Sequence, residues 1–252
     1  MLSGADTHFC RVIETSRERG RVGEISELVV VGIGYQLGTD LAAMLARRLY
    51  DFTAPHGDRT TRFMRELEAI TTRRGQTLRL GGAAMLLELI TDQIQPLVNE
   101  RYRVDPADQA ILGQSAGGNF VAHVLFQRPE AFSKYIVGSP AFAYNDGYAF
   151  QLEDDYARGH DDLPVTLYLA AASHEVLHMA PLSLVSGTAR MAEILHERDY
   201  PGLRLACEIL GGHTHASVYT EIIHRGLEVC WPGHPDETGI ANTERRVAQT
   251  RS

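Results

Sequence analysis

Lysine is almost missing from this chain: of its 24 lysine and arginine residues, only Lys134 is lysine. We read that bias as codon usage rather than chemistry. Cysteine is scarce as well. Cys10, Cys207 and Cys230 share no C-x-x-C spacing, which argues against a disulfide framework or a cysteine zinc site and leaves buried reduced thiols as the reading. Long apolar runs are absent too: "ELVVVGIGY" and "PVTLYLAAA" stop well short of the roughly 18 residues a membrane-spanning helix needs. The N-terminus lacks the basic, apolar and small-residue layout of a secretion signal. A cytoplasmic location and no membrane partner are therefore expected. Positive charge is also short. A net charge of −8 argues against nucleic acid as a main partner, because phosphate binding needs a positive field. One basic island runs against that balance: Arg59, Arg62, Arg65, Arg73, Arg74 and Arg79 face only Glu66 and Glu68. It reads as a solvated helical face, with an anionic ligand as the alternative.

What remains is ordinary globular material. At 252 residues, 44% hydrophobic and 22% charged, the chain is long enough for one large α/β domain. Residues 1–231 are taken as that domain, and 232–252 as a polar, mobile tail. Five short apolar runs bounded by turn formers predict buried strands: 27–34, 109–114, 134–140, 165–171 and 203–210. Helical patterns alternate with them, which predicts a mostly parallel sheet covered on both faces, a three-layer sandwich. In "MLLELITDQIQPLVNERY", Leu86, Ile90, Ile94 and Leu97 form one stripe, with a kink expected at Pro96. The Arg-rich 54–80 and the acidic 141–163 read as loops inserted at strand ends, where substrate pockets are shaped.

Two chemical motifs compete. "HEVLH" at 174–178 fits His-Glu-x-x-His, which on a helix sets two zinc ligands on one face beside a general base. "GQSAG" at 113–117 fits the nucleophile elbow Gly-x-Ser-x-Gly. Context decides between them. The elbow needs a strand, a turn with small neighbours and a helix, and "QAILGQSAGGNFVAHVLF" supplies all three in order. The zinc motif instead follows the end of a strand-like run, and Pro181 and Leu184 stand where the extended pattern wants Gly and His. No metal and no cofactor are expected.

Ser115 is therefore the candidate nucleophile. A serine hydroxyl needs a base, and imidazole titrates nearest neutrality. In this fold the order along the chain is Ser, then acid, then His, the last two after later strands. "GGHTHASV" after the last strand offers His213 or His215. We favour His215, just before the helix near Ser217, with His213 as a pocket neighbour. Glu175 waits after the strand at 165–171 as the acid that fixes the imidazole tautomer. The backbone N–H of Ala116, at the helix N-terminus, is one oxyanion donor. Gln114, His213 and Tyr35 are expected to contact a small-molecule ester substrate. The oligomeric state is not readable.

Together "VVVGIGY", "RRLYDFTAP", "GGAAMLLELITDQIQPLVNERYRVD", "ILGQSAGGNF", "SKYIVGSPAFAYNDG", "LYLAAASHE" and "HASV" resemble the Putative esterase family of α/β-hydrolases. They are most similar to the branch containing the ferric enterobactin and salmochelin esterases, over about residues 1–230. The resemblance implies the α/β-hydrolase fold and ester hydrolysis by Ser115 and His215, with a siderophore-type ester as substrate. It also implies that some members work as Ser-His dyads, with a weak or absent acid. The family carries a central strand before the segment that aligns with "LSGADTHF", so an N-terminally shortened chain is expected. Its second oxyanion N–H must then come from Ser3, Gly4, Ala5 or Asp6, and Ala5 is taken. Weak activity, or a non-catalytic hydrolase-like binding protein, is the alternative this raises; a zinc peptidase is a distant third.

Overall fold

The computed structural model describes residues 5–35, 40–54 and 62–233. Its helices in chain order are α1 (Ala5–Arg21), α2 (Leu41–Phe52), α3 (Arg62–Arg73), α4 (Ala83–Leu89), α5 (Gln95–Arg101), α6 (Ala116–Gln127), α7 (Tyr144–Ala157), α8 (Glu175–His178), α9 (Leu184–Arg198) and α10 (Tyr219–Cys230). Four strands, β1 (Ala110–Gln114), β2 (Lys134–Gly138), β3 (Thr166–Ala172) and β4 (Arg204–Leu210), lie side by side in that order, every pair parallel. Each falls within two residues of a predicted run.

Side chains on a strand alternate between faces, and the core divides accordingly. Ile111, Tyr135, Val137, Leu167 and Leu169 pack with α2, α4, α6, α7 and α9. Leu112, Ile136, Tyr168, Ala170 and Ala172 turn the other way, toward α1 and α10. The crossovers α6, α7 and α9 all cover the first face, so the sheet grows in one direction and every strand presents its C-terminal end to the same edge. This is the three-layer α/β architecture expected from the sequence.

The structure departs from the predicted elements in several places. The run 27–34 forms no strand: apart from a single bridge position at Ile33, its residues join no sheet among the described residues, and Val29 is 49% exposed. A cleft of about 320 Å³, lined by Val12, Leu28, Val30, Ile33, Ile111 and Leu112 among others, separates this segment from β1. Among the described residues β1 is thus an edge strand. Residues 141–163 are mostly helix rather than loop. Asn145, Asp146 and Gly147 take positive φ of 55°, 54° and 71°, and beyond that kink Leu152 and Tyr156 enter the core. The acidic stretch has a structural partner, since buried Glu153 accepts two hydrogen bonds from Arg198 of α9, at 2.9 and 3.0 Å.

At Pro96 the helix widens instead of simply kinking. Residues Ile90–Ile94 form a π turn between α4 and α5, with the Gln95 N–H donating to the Ile90 carbonyl. The wider turn rotates α5 relative to α4, so Ile90 is buried while Leu97, expected on the same stripe, is 43% exposed. Arg65, Arg73, Arg74 and Arg79 are exposed, as a solvated face requires; Arg59 and the Arg62 side chain lie outside the described residues. Of the cysteines, Cys230 alone is buried, its thiol pushed up to about 12 by that burial. Cys10 and Cys207 are exposed, contrary to expectation. The tail predicted at 232–252 lies almost wholly outside the described residues. None of the described helices is long and apolar enough to cross a membrane.

Candidate active site

Ser115 sits where β1 ends and α6 begins, at φ 59° and ψ −124°. A side chain tolerates that left-handed region only when its surroundings hold it there. Two glycines make room. A Cβ at Gly113 would come within 2.2 Å of the Gly117 carbonyl oxygen, and one at Gly118 within 2.7 Å of the Gly138 carbonyl oxygen. The Ser115 N–H donates to that Gly138 carbonyl at 2.9 Å, which ties the turn to β2. Ala116 is the first residue of α6, so its N–H belongs to the turn that has no intrahelical acceptor. The half-buried serine therefore stands at a helix N-terminus that favours negative charge.

The histidine arrives from the far side of the sheet. After β4, a Cβ added at Gly211 or Gly212 would meet nothing within 4 Å, and Gly212 takes φ +76°. The chain turns freely there and returns toward β1. It is then fastened: the His174 N–H donates to the His213 carbonyl at 3.1 Å, and the Gly212 N–H to Ser173 Oγ at 3.0 Å. The Gln114 amide donates to the His215 carbonyl at 2.7 Å. That bond brings His215 beside the residue preceding Ser115, across 101 positions of sequence.

Glu175 opens α8, immediately past β3. Its carboxylate is fully buried. One oxygen accepts the Ala172 N–H at 2.9 Å, and the other lies 2.5 Å from His215 Nδ1. A proton on Nδ1 shared with this carboxylate leaves Nε2 as the free, basic nitrogen. Glu175 is thereby engaged on both oxygens, which removes the general base from the His-Glu-x-x-His reading. His174 and His178 are exposed at either end of a four-residue helix, and among the described residues no group of three His, Cys, Asp or Glu is placed to hold a metal.

The remaining expected residues have these places. His213 is half-buried, and its ring meets Ser217 Oγ only at 3.5 Å. Gln114 is buried, with its amide nitrogen engaged by the histidine loop. Tyr35 donates to Asp51 at 3.2 Å, and Asp51 also accepts from Arg47 at 2.9 Å. Burial raises the Tyr35 hydroxyl well above its ordinary range, with Asp51 adding to the effect. Ala5 is the first residue of α1. One turn on, the His8 ring lies tilted against Tyr219 of α10, ring centroids 3.9 Å apart, so this end of α1 lies over the helix that follows His215. Burial, then Arg11 and Arg48, hold His8 down at about 4.

Sequence reasoning missed Arg48, although it stands in "RRLYDFTAP". It lies over the Phe52 ring at 5.5 Å, close enough to Tyr35 and Tyr219 to feel both. Its buried Nε has no hydrogen-bond partner among the described residues. Burial lowers its basicity, and the Tyr35 and Tyr219 phenols raise it in part. A buried N–H donor with no partner suits an anion.

The family model described as Putative esterase matches residues 52–190, just over half the chain. The protein belongs to this esterase family. Among curated relatives it is 28% identical to the ferri-bacillibactin esterase BesA of Bacillus subtilis over 240 residues, covering 93% of this chain and 78% of the relative. Among solved structures, the BES protein from Bacillus cereus superposes with a TM-score of 0.74 at 22% identity, over 90% of this chain and 81% of that one. The siderophore hydrolase EstA from Aspergillus nidulans gives 0.72 at 21%, over 88% and 78%. These likenesses establish the shared fold, and the family establishes ester hydrolysis as the class of reaction.

Proposed function

We propose that this esterase works through a serine acyl-enzyme. Ser115 Oγ attacks the ester carbonyl carbon while His215 Nε2 takes its proton, and the carbonyl oxygen becomes an oxyanion facing the Ala116 N–H. The carbon–oxygen bond to the alcohol then breaks, and His215 returns the proton to the departing alkoxide. Water enters, gives its proton to His215 and attacks the acyl carbon. Collapse of that second intermediate frees Ser115 and the carboxylic acid. Throughout, Glu175 holds the imidazole in one tautomer and stabilises the imidazolium. The observation that carries this reading is the 2.5 Å contact between buried Glu175 and His215 Nδ1, in a loop fastened beside the elbow. Ala5 is the second oxyanion donor in this scheme, since the end of α1 lies over the start of α10.

The substrate reading is a siderophore-type ester, the class named in the relatives. Arg48 favours it, because its unpartnered donor beside Tyr35 and Tyr219 suits an anionic group such as a ferric catecholate complex. His213 and Tyr35 remain the other proposed contacts. Fluorophosphonate labelling followed by hydrolysis of short p-nitrophenyl esters and of a ferric trilactone tests the scheme. The wild-type protein is expected to label and Ser115→Ala to stay unlabelled, with the trilactone preferred. Equal labelling of both proteins rejects the nucleophile; Arg48→Ala with no change in trilactone KM rejects the substrate contact.

A further inference from the structure

We infer that Gln114 is a positioning residue that sets where His215 stands relative to the nucleophile, and that it does not bind substrate. The inference rests on the serine acyl-enzyme reading above. Gln114 is the last residue of β1 and Ser115 the next in the chain, so the backbone of the nucleophile and the amide of Gln114 move together. The side chain is 6% exposed. It passes Gly138 at the end of β2, where an added Cβ would lie 3.6 Å from Gln114 Cγ and 2.8 Å from Ile222 Cδ1. It ends 2.7 Å from the His215 carbonyl oxygen. One amide N–H is thus taken by the histidine loop, and a residue this buried offers a substrate little surface.

The loop itself explains why such a brace is needed. Gly211 and Gly212 allow it many paths, and its bonds through Ser173 and His174 fasten it only to the β3 side. Glu175 fixes the imidazole ring from that same side. Neither tie sets the distance from β3 back to β1, where Ser115 stands. The Gln114 bond does, because one partner is the backbone of the base and the other is the neighbour of the nucleophile. Displacements near 1 Å cost about 100-fold in rate when reacting groups must meet at close range.

Two substitutions test it, with near-UV circular dichroism as a check on folding. Gln114→Met keeps the length and removes the donor; kcat on p-nitrophenyl acetate is expected to fall about 10- to 100-fold with KM within twofold, and fluorophosphonate labelling to slow in parallel. Gln114→Glu supplies a donor only when protonated. Its kcat, divided by that of wild type at each pH, is therefore expected to rise as pH falls from 8 to 5. Unchanged kcat in Gln114→Met, a raised KM with kcat intact, or a flat ratio in Gln114→Glu overturns the assignment. Wild-type protein that does not label at all overturns the serine reading beneath it, a result separable from these.

Discussion

Two apolar runs of similar composition have opposite fates. "LVVVGI" at 28–33 and "LYLAAA" at 167–172 both read as buried strands. The second lies between β2 and β4, hydrogen-bonded on both edges, with Leu167, Tyr168, Leu169 and Ala170 at most 1% exposed. The first joins no sheet among the described residues, leaves Val29 half in solvent and borders a cleft on the outer side of β1. Side-chain composition does not separate them. A strand exists when neighbouring backbones accept and supply its hydrogen bonds, and only the second run has such neighbours along its length. The three residues of the candidate triad follow strands that have partners: Ser115 after β1, Glu175 after β3 and His215 after β4. The cleft beside the first run includes none of these residues.

If chemistry depends on the paired half, the largest losses come from the ends of its strands. Ser115→Ala is expected to lower kcat about 10⁴- to 10⁶-fold on any ester the protein cleaves, with melting temperature nearly unchanged. Steady-state hydrolysis and a thermal melt check both parts. Retained turnover places the nucleophile elsewhere. Next is Glu175→Gln. Gln offers Nδ1 a donor or an acceptor where the carboxylate offered only acceptors, so the imidazole loses its fixed tautomer and its countercharge. A fall in kcat of about 10²- to 10⁴-fold is expected, measured at saturating ester. A change below threefold means the enzyme works as a Ser-His dyad and the buried contact only holds the loop.

The strand–helix alternation was legible because each β1–β4 run pairs with a neighbour one crossover away, so local pattern and tertiary pairing agree. The elbow was legible for the same reason: its glycines answer a local steric need. Less local features were not. The fate of 28–33 depends on backbones far along the chain. The α7 helix hides behind "YNDG", whose three positive-φ residues read as a turn and do not announce the helix beyond them. Gln114 reaches a backbone carbonyl, which has no residue type to recognise, and Arg48 stands out only for the anion it lacks. Glu175 was half visible: chain order placed it after β3, while the adjoining histidines suggested zinc.

Stability separates the two halves more gently than catalysis does. Leu169→Ala removes a side chain 1% exposed in the paired sheet and is expected to cost about 2–5 kcal/mol by denaturant unfolding. A cost below 1 kcal/mol would mean that β3 is no better packed than the 28–33 run. Acid probes the same packing. Burial holds His123 of α6 down at about 4, so the folded protein keeps it neutral while the unfolded chain protonates near 6.5. The unfolded state therefore binds the extra proton between about pH 6.5 and 4, and stability falls as pH falls through that window. Above it, His123 contributes nothing to the slope. The loss is on the order of 2–3 kcal/mol at pH 4, and unfolding free energies of His123→Leu against wild type at pH 7 and 4.5 measure it. Equal slopes in the two proteins assign the acid sensitivity to another group.

The smallest expected effect is the sharpest test of the 28–33 run. Val29 is 49% exposed and joins no sheet among the described residues, so Val29→Ala removes little apolar surface from a packed environment. Surface substitutions of this kind stay within about 0.5 kcal/mol, and ester turnover should match wild type. Denaturant midpoint and kcat are both needed, because they fail in different ways. A cost above 2 kcal/mol would show that Val29 is packed in solution as tightly as Leu169. Loss of turnover at unchanged stability would instead place the cleft in contact with the candidate site, and the separation between the four-stranded sheet and the 28–33 border would fall.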